Sequence, residues 1–322
     1  MRRLLLFVVI SFLIACSSEN QSAEEASNTT SAADSVSTMD TIQQIVAMDT
    51  GHNPEMQSLG FYFEKYEVDG AFLLFDPQED KYYTYHGERA DEAFLPASTF
   101  KILNSLIALE TGVIADTNVV LTWDGKEREN PEWNQDQNMI QAFQNSTVWF
   151  YQELARRIGV KRMQHYINKS NYGNEKMGGK IDDFWLNGDL RISMNQQVTF
   201  LRKLYRNELP FSKRNQEKVK GLMVQLETDK YKLYGKTGWA VSQQIGWFVG
   251  FVMYDYEEEE IVIPNGQDTL QNAVPDSLRV VKKTRIKKGY YFATNIDVRD
   301  KKDAVARKNI TIDMLKSLKI ID

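Results

Sequence analysis

Ser98 and Lys101, in the stretch Pro96-Ala97-Ser98-Thr99-Phe100-Lys101, stand just ahead of an apolar run from Ile102 to Leu109 that closes on Gly112. On a helix, positions i and i+3 are neighbours on one face. The spacing therefore sets a hydroxyl beside an amine, a nucleophile beside a base. The same pattern also describes an N-cap serine followed by a solvated lysine, and the pair alone does not separate the two. A free amine has a further difficulty: its pKa near 10.4 must fall by about 3 units, at roughly 4 kcal/mol, before it accepts a proton at neutral pH.

Three more stretches bear on the choice. Ser146-Thr147-Val148 opens a helical pattern, Tyr172-Gly173-Asn174 sits in a block of loop residues, and Lys236-Thr237-Gly238 ends a strand pattern. Behind Ser98-x-x-Lys101, this order resembles the serine penicillin-recognising enzymes. Ser-x-Val, Tyr-Gly-Asn, the run Tyr151-Gln152-Glu153-Leu154-Ala155-Arg156-Arg157-Ile158-Gly159, Phe184-Trp185-Leu186 and Gly246-Trp247-Phe248-Val249-Gly250 narrow it. Together they look like class D β-lactamases, from about Gly60 to the C-terminus.

Opening a β-lactam amide needs a nucleophile, a base, a proton for the leaving nitrogen and donors facing the oxygen that becomes negative. The resemblance implies Ser98 as acyl acceptor. Lys101, carboxylated by carbon dioxide to N6-carboxylysine, is then the base for both acylation and deacylation. No other cofactor is expected. Ser146 would relay the proton to the leaving nitrogen, with Lys236 holding that relay. The backbone N–H groups of Ser98 and Trp239 would form the oxyanion hole, and Gly238 would let the strand approach the ligand. Thr237 and Arg307 would bind the substrate carboxylate, Arg307 because a guanidinium pairs bidentately. Phe100, Val148 and Leu186 supply apolar walls, and the Trp185 indole is the expected donor to the carbamate. Tyr172 and Asn174 are expected to order the neighbouring loop. Trp149-Phe150 after Ser-x-Val departs from the family's usual pattern and is expected to reshape the pocket rim.

The elements that must position these groups follow from periodicity. Short strands are expected at Phe61–Tyr66, Ala71–Phe75 and Lys81–His86, and again at Lys232–Thr237, Gly246–Tyr254 and Gly289–Asn295. Helices are expected from Ser98 to Gly112, at Ser146–Ile158, Lys161–Asn168, Gln196–Arg206, Lys213–Leu226 and Ala304–Leu318. The fold class is thus α/β (α+β): an antiparallel sheet flanked by helices, with an inserted, mainly helical lobe at about 96–200. The resemblance makes this β-lactamase/transpeptidase-like. Residues 255–288, acidic at Glu257–Glu260 and basic at Lys282–Lys288, read as a solvated hairpin extension turning at Pro264-Asn265-Gly266.

Of the 322 residues, 42% are hydrophobic and the net charge is -5, so a sizeable core is possible. Basic residues form no long stripe, which disfavours nucleic acid as a partner. Arg2 and Arg3 before the apolar run Leu4–Ile14 suggest an export signal. The run ends at Cys16, which resembles the lipidated cysteine of a bacterial lipobox. Residues 1–16 are read as that signal, 17–56 as a polar tether unable to bury enough to fold, and 57–322 as the catalytic domain. The chain is expected to be lipid-anchored to a bacterial membrane, facing the periplasm. His52, His86 and His165 show no metal spacing. Rival readings are a β-lactam sensor that holds its acyl-enzyme, a D,D-peptidase, for which Ser-x-Asn would be expected, and a catalytically dead interaction lipoprotein.

Overall fold

The computed structural model describes residues 54–262 and 280–322. The signal run, Cys16, most of the tether and the Pro264-Asn265-Gly266 turn lie outside them. A six-stranded antiparallel sheet, in the order β2-β1-β6-β5-β4-β3, organises the described chain. Its strands are β1 (Gly70–Asp76), β2 (Lys81–Tyr85), β3 (Val224–Glu227), β4 (Tyr231–Ala240), β5 (Ile245–Val262) and β6 (Val280–Asp297). Every residue of β1 is buried, because helices cover both faces of the sheet.

One face is covered by α1 (Pro54–Lys65) and α9 (Lys301–Ser317). Ala306, Ile310 and Met314, at four-residue spacing on α9, are buried there with Leu59 and Phe63 of α1. That spacing explains one correction. The strand expected at Phe61–Tyr66 is instead the end of the helix α1, which runs to Lys65: Leu59 and Phe63 are buried while Phe61 is 60% exposed. A helix stripe, not strand alternation, is the pattern that meets α9.

The other face carries the helices inserted between β2 and β3: α2 (Lys101–Glu110), α3 (Met139–Gln144), α4 (Val148–Ile158), α5 (Val160–Lys169), α6 (Phe184–Asn187), α7 (Met194–Arg206) and α8 (Lys213–Leu222). Buried from Lys101 to Leu109, α2 is the central helix of this lobe, as an all-round apolar helix must be. A capping box at Ser193 starts α7. The helix expected over Lys213–Leu226 stops at Leu222, and Val224–Glu227 becomes the edge strand β3.

The last two strands run far beyond their expected ends. Pairing of β4 with β5 ends at Tyr254 and that of β1 with β6 at Tyr291, yet β5 and β6 stay paired to Val262 and Val280. The charge runs account for this. Asp255 lies opposite Lys287 and Glu257 opposite Arg285, and Arg285 also grips Asp255 at 2.6 Å. Opposite charges across a ladder stabilise a two-stranded ribbon modestly.

Candidate active site

Ser98 lies in a tight 3-10 turn, Ala97–Phe100, that leads directly into α2. The expected helix start is therefore a turn of a different kind. Ala97 takes φ 48°, a left-handed conformation held against its preference. Thr99 secures the turn: its hydroxyl donates to the Pro96 carbonyl at 2.7 Å and accepts from Gln197 Nε2 of α7 at 2.8 Å. Upstream, Gln243 accepts from the Leu95 N–H at 2.7 Å, and the Trp247 indole donates to the Leu95 carbonyl at 2.9 Å.

Lys101 is 0% exposed, and its Nζ donates to Ser98 Oγ at 2.7 Å. Below it, 5.2 Å away, is the ring of Tyr151, whose hydroxyl is engaged with Ser105 at 3.0 Å. Among the described residues no carboxylate pairs with this amine. Burial accordingly pulls its pKa down to about 7, which removes most of the obstacle that a free lysine base presents. Phe100 stacks on Trp185, with ring centroids 5.5 Å apart, and both are fully buried. The Trp185 Nε1 is buried without a hydrogen-bond partner, and an orphaned donor of this kind asks for an acceptor. A buried amine whose pKa is lowered to about 7 and a buried, unused N–H on the ring stacked against Phe100 are groups that a carbamate on Lys101 would use.

Ser146 and Lys236 are brought together from positions 90 residues apart: Lys236 Nζ donates to Ser146 Oγ and to the Thr237 carbonyl at 3.1 Å. Ser146 precedes α4 and takes φ 53°. Burial first, then the charges of Lys101, Arg307 and Lys308, hold the Lys236 amine well below its ordinary pKa. Its Nζ lies 5.4 Å from the Phe143 ring centroid.

Gly238 is where β4 meets the nucleophile turn. A Cβ there would lie 3.0 Å from the Pro96 carbonyl oxygen and 3.4 Å from the Ser98 nitrogen, so the strand comes this close only without a side chain. That proximity puts the next residue, Trp239, at the same edge. On α9, Arg307 has its pKa lowered to about 10 by burial. It donates through one terminal nitrogen to the Ala304 carbonyl, while its Nε is buried and unpartnered. Gly246, paired with Trp239, leaves room for it: a Cβ there would lie 3.3 Å from Arg307 Cδ. Among the described residues, no Asp or Glu forms an ion pair with Lys101, Lys236 or Arg307. Val148 and Leu186 are half-buried at the starts of α4 and in α6.

The Tyr-Gly-Asn stretch buttresses the turn. Tyr172 packs edge-on against Phe100 at 5.7 Å. Asn174 donates to the Asp189 carbonyl at 2.8 Å and accepts from the Arg191 N–H at 3.0 Å. Gly173 has φ 59°, and a Cβ there would meet the Arg191 carbonyl oxygen at 2.1 Å. Trp149 is 4% exposed and donates to the Trp133 carbonyl at 2.7 Å. Sequence reasoning missed Gln197, Gln243, Phe143, Gln137 and Trp133, none of which lies in a motif, and it gave Tyr151, the first residue of a matching run, no role of its own.

Such a fold and such a constellation define a serine penicillin-recognising protein. Residues 70–272 match the family model for the penicillin-binding protein transpeptidase domain. The chain is 38% identical over 269 residues to β-lactamase OXA-48 of Klebsiella pneumoniae, covering 83% of this chain and 90% of that one. Its structure superposes with a TM-score of 0.69 on the class D β-lactamase YbXI from Nostoc, at 44% identity, covering 81% of this chain and 98% of that one. The regulatory protein BlaR1 of Bacillus licheniformis is 39% identical over 205 residues, 63% of this chain but 34% of that protein. The chain belongs to the class D β-lactamase family.

Proposed function

We propose that this chain hydrolyses β-lactams through an acyl-enzyme on Ser98, with Lys101 as general base in its carboxylated form. The observation that carries the reading is the fully buried, uncompensated Lys101 amine 2.7 Å from Ser98 Oγ. In acylation the Ser98 oxygen bonds to the lactam carbonyl carbon, the C–N bond breaks, and the serine proton leaves toward Lys101. Ser146, bonded to Lys236, gives a proton to the departing nitrogen and is recharged from the lysine side. The Ser98 and Trp239 N–H groups face the developing oxyanion, one of them at the start of a helix where N–H groups are unpaired. Water then attacks the ester, the C–Oγ bond breaks and Ser98 recovers its proton. Carboxylation of Lys101 by carbon dioxide would supply an oxygen base at the end of this side chain, held by the Trp185 indole.

Arg307 and Thr237 bind the substrate carboxylate, with the unpaired cations of the site favouring an anionic ligand. Arg307→Ala is expected to lower kcat/KM by about ten- to a hundredfold, the worth of a charge-assisted hydrogen bond. A substrate whose carboxylate is esterified should show almost no difference between the two proteins, and an equal loss on the ester would exclude this role.

Turnover of a chromogenic cephalosporin with and without bicarbonate tests the whole reading. Sustained hydrolysis that bicarbonate increases supports it. A single burst with a stable Ser98 adduct would instead favour a β-lactam sensor, the reading to which the identity with a regulatory protein lends weight.

For localisation we keep the lipid anchor at Cys16, on a bacterial membrane and facing the periplasm, carried by the charged start and short apolar run before it. Cys16→Ser is expected to move the protein from the membrane to the soluble fraction on cell fractionation; retention in the membrane pellet would rule out the anchor.

A further inference from the structure

Ser146 holds a left-handed backbone conformation, φ 53°, where it closes α3: its N–H donates to the Phe143 carbonyl at 3.3 Å and the Thr147 N–H donates to the Ala142 carbonyl at 2.9 Å, the bonding of a helix C-cap. Its neighbours on both sides are tied in addition to one short turn, Pro131–Trp133. On the near side, the Trp133 indole donates to the Asn145 carbonyl at 2.9 Å. On the far side, the Thr147 hydroxyl donates to Gln137 Oε1 at 2.7 Å, and Gln137 Nε2 donates to the Glu132 carbonyl. The indole of Trp149, the second residue of α4, donates to the Trp133 carbonyl at 2.7 Å. Asn130 caps the turn from outside, accepting from the Glu132 N–H at 3.2 Å.

These bonds enclose Ser146 from before and after. Thr147 is 0% exposed and Gln137 1%, so water cannot replace their bond if either partner is lost, and the survivor is left unsatisfied. Released from the turn, the 145–147 segment would keep only the cap of α3, and the Ser146 hydroxyl would be free to shift off Lys236 Nζ. Hydrogen bonding by Trp149 comes from the position at which the sequence departs from the usual pattern after Ser-x-Val.

We propose that Gln137, Thr147 and Trp149 are positioning residues for Ser146, which through the Pro131–Trp133 turn hold its hydroxyl against Lys236. The inference rests on Ser146 being the proton donor to the leaving nitrogen. It assigns these residues to acylation, the step in which that nitrogen departs, and not to general packing.

The test uses Thr147→Val, which keeps the shape and removes the hydroxyl, Thr147→Ser, which restores it, and Trp149→Phe, which keeps a buried ring and removes the N–H. Acylation of Ser98 and decay of the preformed adduct are measured separately by rapid-quench mass spectrometry. Thr147→Val and Trp149→Phe are expected to slow acylation on the order of ten- to a hundredfold, as a misplacement of about 1 Å does, and to leave decay of the adduct nearly unaffected. Thr147→Ser should regain most of the rate. Should Thr147→Val fail to fold, Trp149→Phe carries the same comparison. Acylation at the unaltered rate in the folded variants, or equal slowing of both steps, overturns the positioning role. Absence of any Ser98 adduct in the unaltered protein would instead overturn the catalytic reading on which the inference stands.

Discussion

Ser98→Ala is expected to reduce turnover of a chromogenic cephalosporin by about 10⁴-fold or more, the scale seen when a covalent nucleophile is removed, and to abolish the covalent adduct in intact-protein mass spectrometry. The remainder of the site survives this change. Lys236 still bonds Ser146, and Gln197 still holds Thr99, so binding of the substrate should persist while chemistry does not. The loss should therefore fall on kcat, with the apparent affinity nearly unaltered. An adduct that survives in Ser98→Ala would place the acyl group on another residue and remove the central role given to Ser98.

Lys101→Met has the next largest expected effect, and it acts in two directions. Turnover should fall on the order of 10²- to 10⁴-fold, the contribution of a positioned base, and bicarbonate should no longer increase it. Stability should rise. Burial lowers the Lys101 pKa from an ordinary 10.5 to about 7, so the folded state disfavours the charged amine that the unfolded chain carries. Between those two values the unfolded chain holds a proton that the folded chain lacks, and stability increases with pH across that window. Below pH 7 the folded amine is itself protonated, and the full penalty, at most about 5 kcal/mol, applies. A methionine of similar length removes it. The gain in Tm should accordingly be larger at pH 6 than at pH 9. A variant less stable than the unaltered protein at pH 6 would show that the buried amine is not the burden described.

The same titration governs the unaltered protein. Carbon dioxide reacts with the neutral amine, whose share falls as pH drops through about 7. Stimulation by bicarbonate should consequently be stronger at pH 6 than at pH 8.

Much of the framework was legible because it repeats locally. Turn residues and β-branched, aromatic composition marked β1, β2, β4, β5 and β6 but not β3, and α4, α5, α7 and α9 lie within a few residues of their expected ranges, since amphipathic periods and Gly159 announce themselves in sequence. Phe61–Tyr66 was misread because aromatic residues favour strands, whereas the stripe formed by Leu59 and Phe63 has meaning only against α9. The charged run at 255–288, read as a hairpin extension, continues β5 and β6 as paired strands as far as Val262 and Val280; the partner across the ladder supplies the reason that no strand period in the run does. Within the site, motif order marked Ser98, Lys101, Ser146 and Lys236, while Gln137 and Gln197 had no local signal at all.

Residue order alone supplies the candidate groups: a hydroxyl and an amine one turn apart, a second serine and a second lysine in fixed order, and a glycine at the strand that meets them. Tertiary structure alone decided their state. The Lys101 amine has a lowered pKa because Phe100, Tyr151 and the covering helices take it out of water, and desolvation is a property of everything around a group. Ser146 meets Lys236 only because the helical lobe folds onto β4, and the side-chain bonds that tie Asn145 and Thr147 to the Pro131–Trp133 turn come from residues with no motif.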